Sequence, residues 1–438
     1  MRGSAAFRAA VAPGGVLAGP WVRNELWRGA RAVPSLDLRF AENKSLVDAT
    51  TGADLVTFTR ASSGTFVGSD GLIKTATTNE ARFDHNPTTG ESLGLLVEEQ
   101  RTNIALQSNG FDTSWTNTES VETANQATAP DGTNSGWKLV NTAVSQGHNI
   151  FQSVAWTAVT TTVSVFVKYL DHRWVGIRMG AAGNQFFGSW DLQNSVVGSV
   201  TAGATIGMQA FGNGWYRLTL TATLTSAGGA NLIIGLNNAD AVALTTYTGT
   251  GTGIYIFGAQ VEVGAFPTSY IPTTSATVTR SADVASITGT NFSSWYRQDE
   301  GTLYAEGSVP VGVSGARALA SISNGTNNER IIIGHNGTTA ANGLVVDGNT
   351  SQTSFTVTAN SFPPGERKKV ALAYKVDDFG FTTVPGTTVE QDSSGTLPTV
   401  DRLQIGNAPG RTEPNQPIRR LTYWPQRLPN TTLQQITQ

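Results

Sequence analysis

Carboxylates, histidines and aromatic rings are the side chains here whose types and spacing could do chemistry. Glycosidic hydrolysis needs two facing carboxyl groups. Asp171, Asp191, Glu262, Asp347, Asp377 and Asp378 stand in or beside strand-like sequence and are the candidates. With 32 acids spread over 438 residues, chance pairs are expected, and no spacing singles one out. His85, His148, His172 and His335 show no metal-ligand spacing and no His-Glu-x-x-His. There is no Gly-x-Ser-x-Gly elbow. The Gly/Thr run from Thr248 to Gly253 lacks the lysine of a phosphate loop. No catalytic residue, metal site or cofactor is therefore expected. A structural Ca²⁺ would need a dense set of loop oxygens, and no Asp-x-Asp run offers one.

Carbohydrate binding is a different chemistry. It uses aromatic faces that stack on pyranose rings, flanked by amide and carboxylate groups. Trp174, Trp190, Trp215 and Tyr169 are the candidate platforms, with Trp156 behind them. Each is weighed against a place in the core, since sandwiches bury large aromatics. Asn327 and Asn336, with Asn324, Asn328 and Asn342, fall in loop-like sequence, where binding residues concentrate. They serve equally well as plain turn residues. A third cluster, Glu98, Arg101 and Asn103, is matched downstream by Tyr270, Arg280 and Asp283. Buried arginine–carboxylate pairs would clasp the two ends of a domain there, and that structural role is preferred over a ligand site.

The elements that must position these residues read as all-β. Only 14% of residues are charged, against about 25% in an average globular protein. Ten Trp, nine Tyr and 18 Phe argue against disorder. Short alternating runs such as Thr162–Lys168, Trp174–Met179 and Trp215–Ala222 are separated by Gly, Asn, Ser and Thr turns, the pattern of a sandwich or jelly roll. Asn213-Gly214 is a tight-hairpin signal. The expected organisation is an extended docking arm over 1–34, a small β-rich module over 35–94 and a central jelly-roll sandwich over 95–285. A linker or short strand over 286–297 then leads to a second sandwich over 298–438. The arm carries five arginines against Glu25, and Trp21, Arg23, Trp27 and Arg28 are its candidate anchors to a larger assembly. A short helix is expected near 429–437.

Net charge and residue usage narrow the partners. A balance of −3 gives no electrostatic footprint for nucleic acid. No apolar run approaches the ~20 residues of a membrane helix, so no membrane insertion is expected. Cysteine is absent, which removes disulfides and thiolate chemistry and fits assembly in a reducing cytoplasm. Arg8 and the Gly/Pro breaks after Val11 interrupt the first residues, and no secretion signal is read there.

Several blocks resemble a module of tailed-phage and prophage structural proteins. They are Leu95-Leu-Val-Glu-Glu-Gln-Arg-Thr-Asn103 with Phe111 and Trp115, then Gly212-Asn-Gly-Trp-Tyr-Arg217, Gly258-Ala-Gln-Val-Glu262 and Thr268-Ser-Tyr-Ile-Pro-Thr273. Residues 370–374, 403–406 and 418–428 are similar to laminin-G and concanavalin-like sandwiches. The resemblance implies a non-enzymatic virion component, assembled in the bacterial cytoplasm. It would be a fibre, spike or appendage with a carbohydrate-binding-like jelly roll, partnered by other virion proteins and host-surface polysaccharide. By the same analogy it would be a homo-oligomer, a trimer being the common form. An architectural decoration subunit and a polysaccharide depolymerase are the alternatives.

Overall fold

Alternation of inward apolar and outward polar side chains builds most strands of the chain. In His148–Trp156, for example, Gln152, Val154 and Trp156 are buried while Ser153 and Ala155 are exposed. The computed structural model describes residues 25–357, 360–383 and 388–438. The fold is all-β, with antiparallel sheets packed as sandwiches.

The central sandwich consists of two six-stranded sheets. One runs in the order Ala204–Ala210, Trp215–Thr223, Thr160–Tyr169, Gly253–Val263, Gly136–Asn141 and Ser120–Ala127. The other runs Val196–Val200, Phe186–Asp191, Trp174–Met179, Gly228–Asn237, His148–Trp156 and Thr116–Thr118. Between them lies a core that includes Val165, Ile177, Trp190, Leu220, Ile234 and Ile256, all buried. Asn213 and Gly214 both take positive φ, 47° and 77°, at the turn leading into Trp215. That is the left-handed backbone for which an Asn-Gly pair is suited.

The second sandwich is built from both ends of the chain. Its eight-stranded sheet includes Glu300–Gly307, Lys368–Lys375 and Gln416–Trp424, and it continues through Ser92–Val97 to Phe83–His85. Leu36–Leu38 pairs with the same Gln416–Trp424 strand, Leu36 opposite Tyr423. The seven-stranded sheet starts at Thr57–Thr59, which pairs with Val284–Thr288 before the order continues through the C-terminal strands. One core holds Leu36, Phe58 and Leu95 together with Ile287, Leu303, Ile322, Phe381 and Ile418. The central sandwich is thus an insertion within a sandwich whose strands flank it in sequence.

This arrangement corrects three boundaries. Residues 35–94 are not a separate module, because most of their strands complete the sheets of the C-terminal sandwich. Residues 286–297 follow the short-strand reading at their start and are not a linker. Val284–Thr288 is a sheet strand and Gly289–Ser293 a short helix, and Phe292 and Trp295 enter the core because burying two aromatics is worth more than exposing them. The arm is not wholly extended either. Glu25–Ala30 is helical and packs on the helix Asn430–Thr437. Trp27 is 6% exposed, its indole N–H donates to an Asp37 carboxylate oxygen at 2.9 Å, and Arg39 lies over its ring. Its apolar surface is spent within the chain, so it is not an external anchor. Arg28 is exposed on this helix. Trp21 and Arg23 lie outside the described residues.

Candidate functional site: a cleft between the sandwiches

The two sandwiches meet where the inserted one leaves and re-enters the other. Arg101–Asn103 and Val278–Arg280 pair there as a two-stranded ribbon. Beneath it five charged side chains are buried together. Asp283 accepts from Arg60 at 3.1 Å, from Arg82, and from the backbone N–H of Glu98 at 2.9 Å. Glu98 receives Arg82 at 2.7 Å, and Arg280 lies 3.6 Å away. Burial alone would raise the Glu98 carboxyl, but the guanidiniums of Arg280 and Arg82 and the Ser269 hydroxyl and N–H hold it down at about 2. Asn103 is fully buried. It accepts from the N–H groups of Ala105 and Val261 and donates to the carbonyls of Ala259 and Ile271. Tyr270 is buried with its hydroxyl 2.7 Å from Ser108 Oγ, and burial pushes that phenol up. Arg101 pairs with Glu99 rather than Glu98 and lies over Phe266.

A second bridge comes from the hairpin Gly64–Val67 and Ile73–Ala76. The Ile73 N–H donates to Pro130 O at 2.9 Å, and Thr65 Oγ1 donates to Tyr270 O at 2.5 Å. Ile73 joins Phe166, Phe211, Trp215, Phe257 and Tyr270 in an apolar cluster spanning the junction. With hydrogen bonds, buried charge and apolar packing all crossing it, the junction fixes the space it encloses.

That space is a cleft of about 550 Å³. Its floor is the outer face of Ala204–Ala210 and Trp215–Thr223. The register sets Thr205 opposite Thr221 and Gly207 opposite Thr219, and Gln209 follows two residues on. Period-two alternation therefore puts Thr205, Gln209, Thr219 and Thr221 on one face. A Cβ on Gly207 would come within 2.6 Å of Thr219 Oγ1, so the bare glycine leaves that hydroxyl room. Phe266 to Tyr270, Phe66, Asp84, His85 and Pro310 to Gly312 also line the cleft. Asp84 Oδ1 accepts the Val67 N–H at 2.6 Å, and burial pushes its carboxyl up to about 7. His85 Nδ1 lies 3.0 Å from Val67 O, to which it donates, while its buried Nε2 has no partner among the described residues.

None of the six glycan-binding candidates from the sequence lines this cleft. Trp190 and Trp215 are corrected outright: they are 0% and 1% exposed, and their indole N–H groups donate to Gly207 O and Thr128 O. Buried on both faces, they offer no surface on which a sugar could stack. Trp174 is half-buried, with the Arg173 guanidinium over its ring at 5.1 Å. Tyr169 is half-buried against the central core. Asn327 is exposed and accepts from Arg330 at 2.6 Å. Asn336 Oδ1 accepts from Thr338 and Ala340, closing its own turn. Sequence reasoning missed the floor hydroxyls. Their signal was the alternation of Thr with apolar residues in Arg217-Leu-Thr-Leu-Thr-Ala222, which marks a polar outer face without saying what faces it.

Among the described residues, no group of three or more His, Asp or Glu side chains converges on a point that could hold a metal ion. No described helix is long and apolar enough to cross a membrane.

No family model matches the chain, and no curated protein matches it. Solved structures do give matches. The CBM40 domain of a Ruminococcus gnavus IT-sialidase, bound to α2,3-sialyllactose, matches at 14% identity over 32% of this chain and 84% of that one, with a TM-score of 0.28. Mouse laminin α1 domains LG4-5 match at 10% identity over 74% and 88%, with a TM-score of 0.22. A Trypanosoma rangeli sialidase in complex with sialic acid matches at 8% identity over 69% and 60%, with a TM-score of 0.26. Scores this low assign neither a family nor a ligand.

Proposed function

We propose that this chain is a non-enzymatic structural protein of a tailed-phage particle whose inter-sandwich cleft holds a host-surface glycan. The cleft carries the binding half of the reading. A preformed space of about 550 Å³, floored by Thr205, Gln209, Thr219 and Thr221 and bordered by the half-buried Phe66, offers hydroxyl and amide partners beside apolar surface. That mixture suits a ring with one hydroxylated edge and one C–H face. The virion half rests on the order of blocks from Leu95 to Thr273 described above. The test is a screen of the intact chain against bacterial surface oligosaccharides, repeated with Thr219→Tyr, which fills the cleft from its floor. Binding by the wild type and its loss in the variant are expected. Binding that survives the tyrosine would place the glycan elsewhere.

One observation favours a second reading, hydrolysis. A carboxyl raised to about 7, as at Asp84, is protonated near neutrality and could act as a general acid. The other acid lining the cleft is Glu98, whose oxygens already accept from Ser269 and Arg82. Such a carboxylate is poorly placed to attack a sugar or activate water. Release of reducing ends from purified polysaccharide, lost in Asp84→Asn, would favour hydrolysis over binding.

A further inference from the structure

We infer that Arg330 and Arg411, on the outer face of the seven-stranded sheet, form a second binding site that takes a sugar carrying a carboxylate. Neither residue lines the cleft, and the site does not depend on what the cleft holds.

Alternation along two neighbouring strands places the pair. In Arg330–His335 and Ala341–Asp347, Ile331, Ile333 and Val345 point into the core. Arg330, Ile332, Asn342 and Leu344 therefore share the opposite face, with Ile332 directly across from Leu344. The loop after Arg402–Ile405 lies on that face, where Ala408 joins Ile332 and Leu344 in an apolar cluster. Arg330 Nη1 donates to Asn327 Oδ1 at 2.6 Å and to the Pro409 carbonyl, and Arg411 Nη2 donates to Asn342 Oδ1.

Two like charges are thus held together without a counterion. Burial and the charge of Arg330 pull the Arg411 guanidinium down to about 10. Among the described residues, no carboxylate pairs with either arginine. Glu329, beside Arg330 in sequence, accepts instead from the N–H groups of Gly348 and Thr399. Glu413 is buried and accepts from Asn407, and burial pushes its carboxyl up. Arg411 Nη1 and Arg330 Nε are buried donors with no partner among the described residues. A buried donor left unpaired costs free energy that an acceptor returns, and a carboxylate matches the planar fork of a guanidinium. Both arginines keep partial exposure, which leaves the pair open to a ligand from solvent. The surroundings set the ligand class. Half-buried Leu344 offers apolar surface to ring C–H groups, and the exposed Asn327 has its oxygen engaged and its amide nitrogen free for a hydroxyl.

Titration calorimetry on the intact chain would use a glucuronic acid oligomer, with acetate and inorganic phosphate as oxyanions that carry no sugar. The acidic oligomer is expected to bind the wild type, and Arg330→Gln and Arg411→Gln should each weaken it by at least about tenfold, the worth of a charge-assisted hydrogen bond. Arg411→Lys, which keeps the charge and loses the fork, should fall between. Thr219→Tyr, which fills the cleft, should leave this binding unchanged. Circular dichroism would establish that each variant folds, and should one glutamine variant fail, the other decides. Binding that survives both glutamine variants overturns the site. If that same binding is lost in Thr219→Tyr, the acidic sugar sits in the cleft, and the cleft reading stands without this one. Acetate or phosphate binding as tightly as the oligomer overturns the sugar class. No binding of the acidic oligomer overturns the inference outright.

Discussion

Asp283 supports the junction more than its short side chain suggests, and replacing it by asparagine tests the mechanical part of this account. It is fully buried. Its carboxylate receives Arg60, Arg82 and the Glu98 N–H, and its own N–H donates to Glu98 O. The wild-type cluster sets three guanidiniums against two carboxylates. Asp283→Asn keeps the shape and leaves three cations facing Glu98 alone. Breaking a buried ion pair by removing one partner costs about 3–5 kcal/mol, because the remaining charge stays desolvated. For a cooperative unit the size of one sandwich, each kcal/mol shifts Tm by about 2–4 °C, which gives a fall of roughly 6–20 °C. Differential scanning calorimetry measures this directly. Lys74→Ala, which breaks the exposed Asp70–Lys74 pair, is the control and should cost under about 1 kcal/mol. If Asp283→Asn moved Tm no more than the control, the claim that buried charge fixes the junction would be wrong.

The same buried acids give the chain a pH profile. Asp84, raised to about 7, ionises earlier in the unfolded chain than in the folded one, so stability falls as pH climbs from about 4 to 7, by up to about 4 kcal/mol. Asp84→Asn should remove that slope and raise the urea midpoint at pH 8. Glu98, held at about 2, does the opposite: its stabilisation is complete above its unfolded value and is lost as pH falls towards 2. An acid-unfolding curve for Glu98→Gln that is flatter than the wild type's below pH 4 is expected. Gly94 has φ 109°, and a Cβ there would sit 2.1 Å from Ile418 O, so Gly94→Ala should cost on the order of 3 kcal/mol by chemical denaturation. Trp27→Ala should cost about 3–5 kcal/mol through lost packing in its own chain.

The central sandwich and the clasp at its two ends were legible in the sequence because both brackets carry unusual residues. Polar runs such as Glu98 to Asn103 and Arg280 to Asp283 are hard to place in strands unless they answer one another. The host sandwich was not legible as one unit. Thr57–Thr59 and Phe83–His85 are three residues long, and their partners lie far apart in sequence. Thr57 pairs with Ser286, and Leu36 pairs with Tyr423. A three-residue run carries alternation but no information about which distant strand completes its ladder. The aromatic candidates failed for a related reason. Alternation tells that Trp190 and Trp215 share a face with their neighbours at i±2, but whether that face meets a second sheet or solvent is a property of the packed whole. The cleft needed both sandwiches in place before its floor could be recognised.

The most direct test of the central claim is a crystal structure of the chain soaked with a neutral oligosaccharide that binds in solution. Sugar density is expected on the floor formed by Thr205, Gln209, Thr219 and Thr221, within hydrogen-bond reach of Asp84. Ordered sugar instead at Trp174, or on the loop carrying Asn327, with the cleft empty, would contradict it.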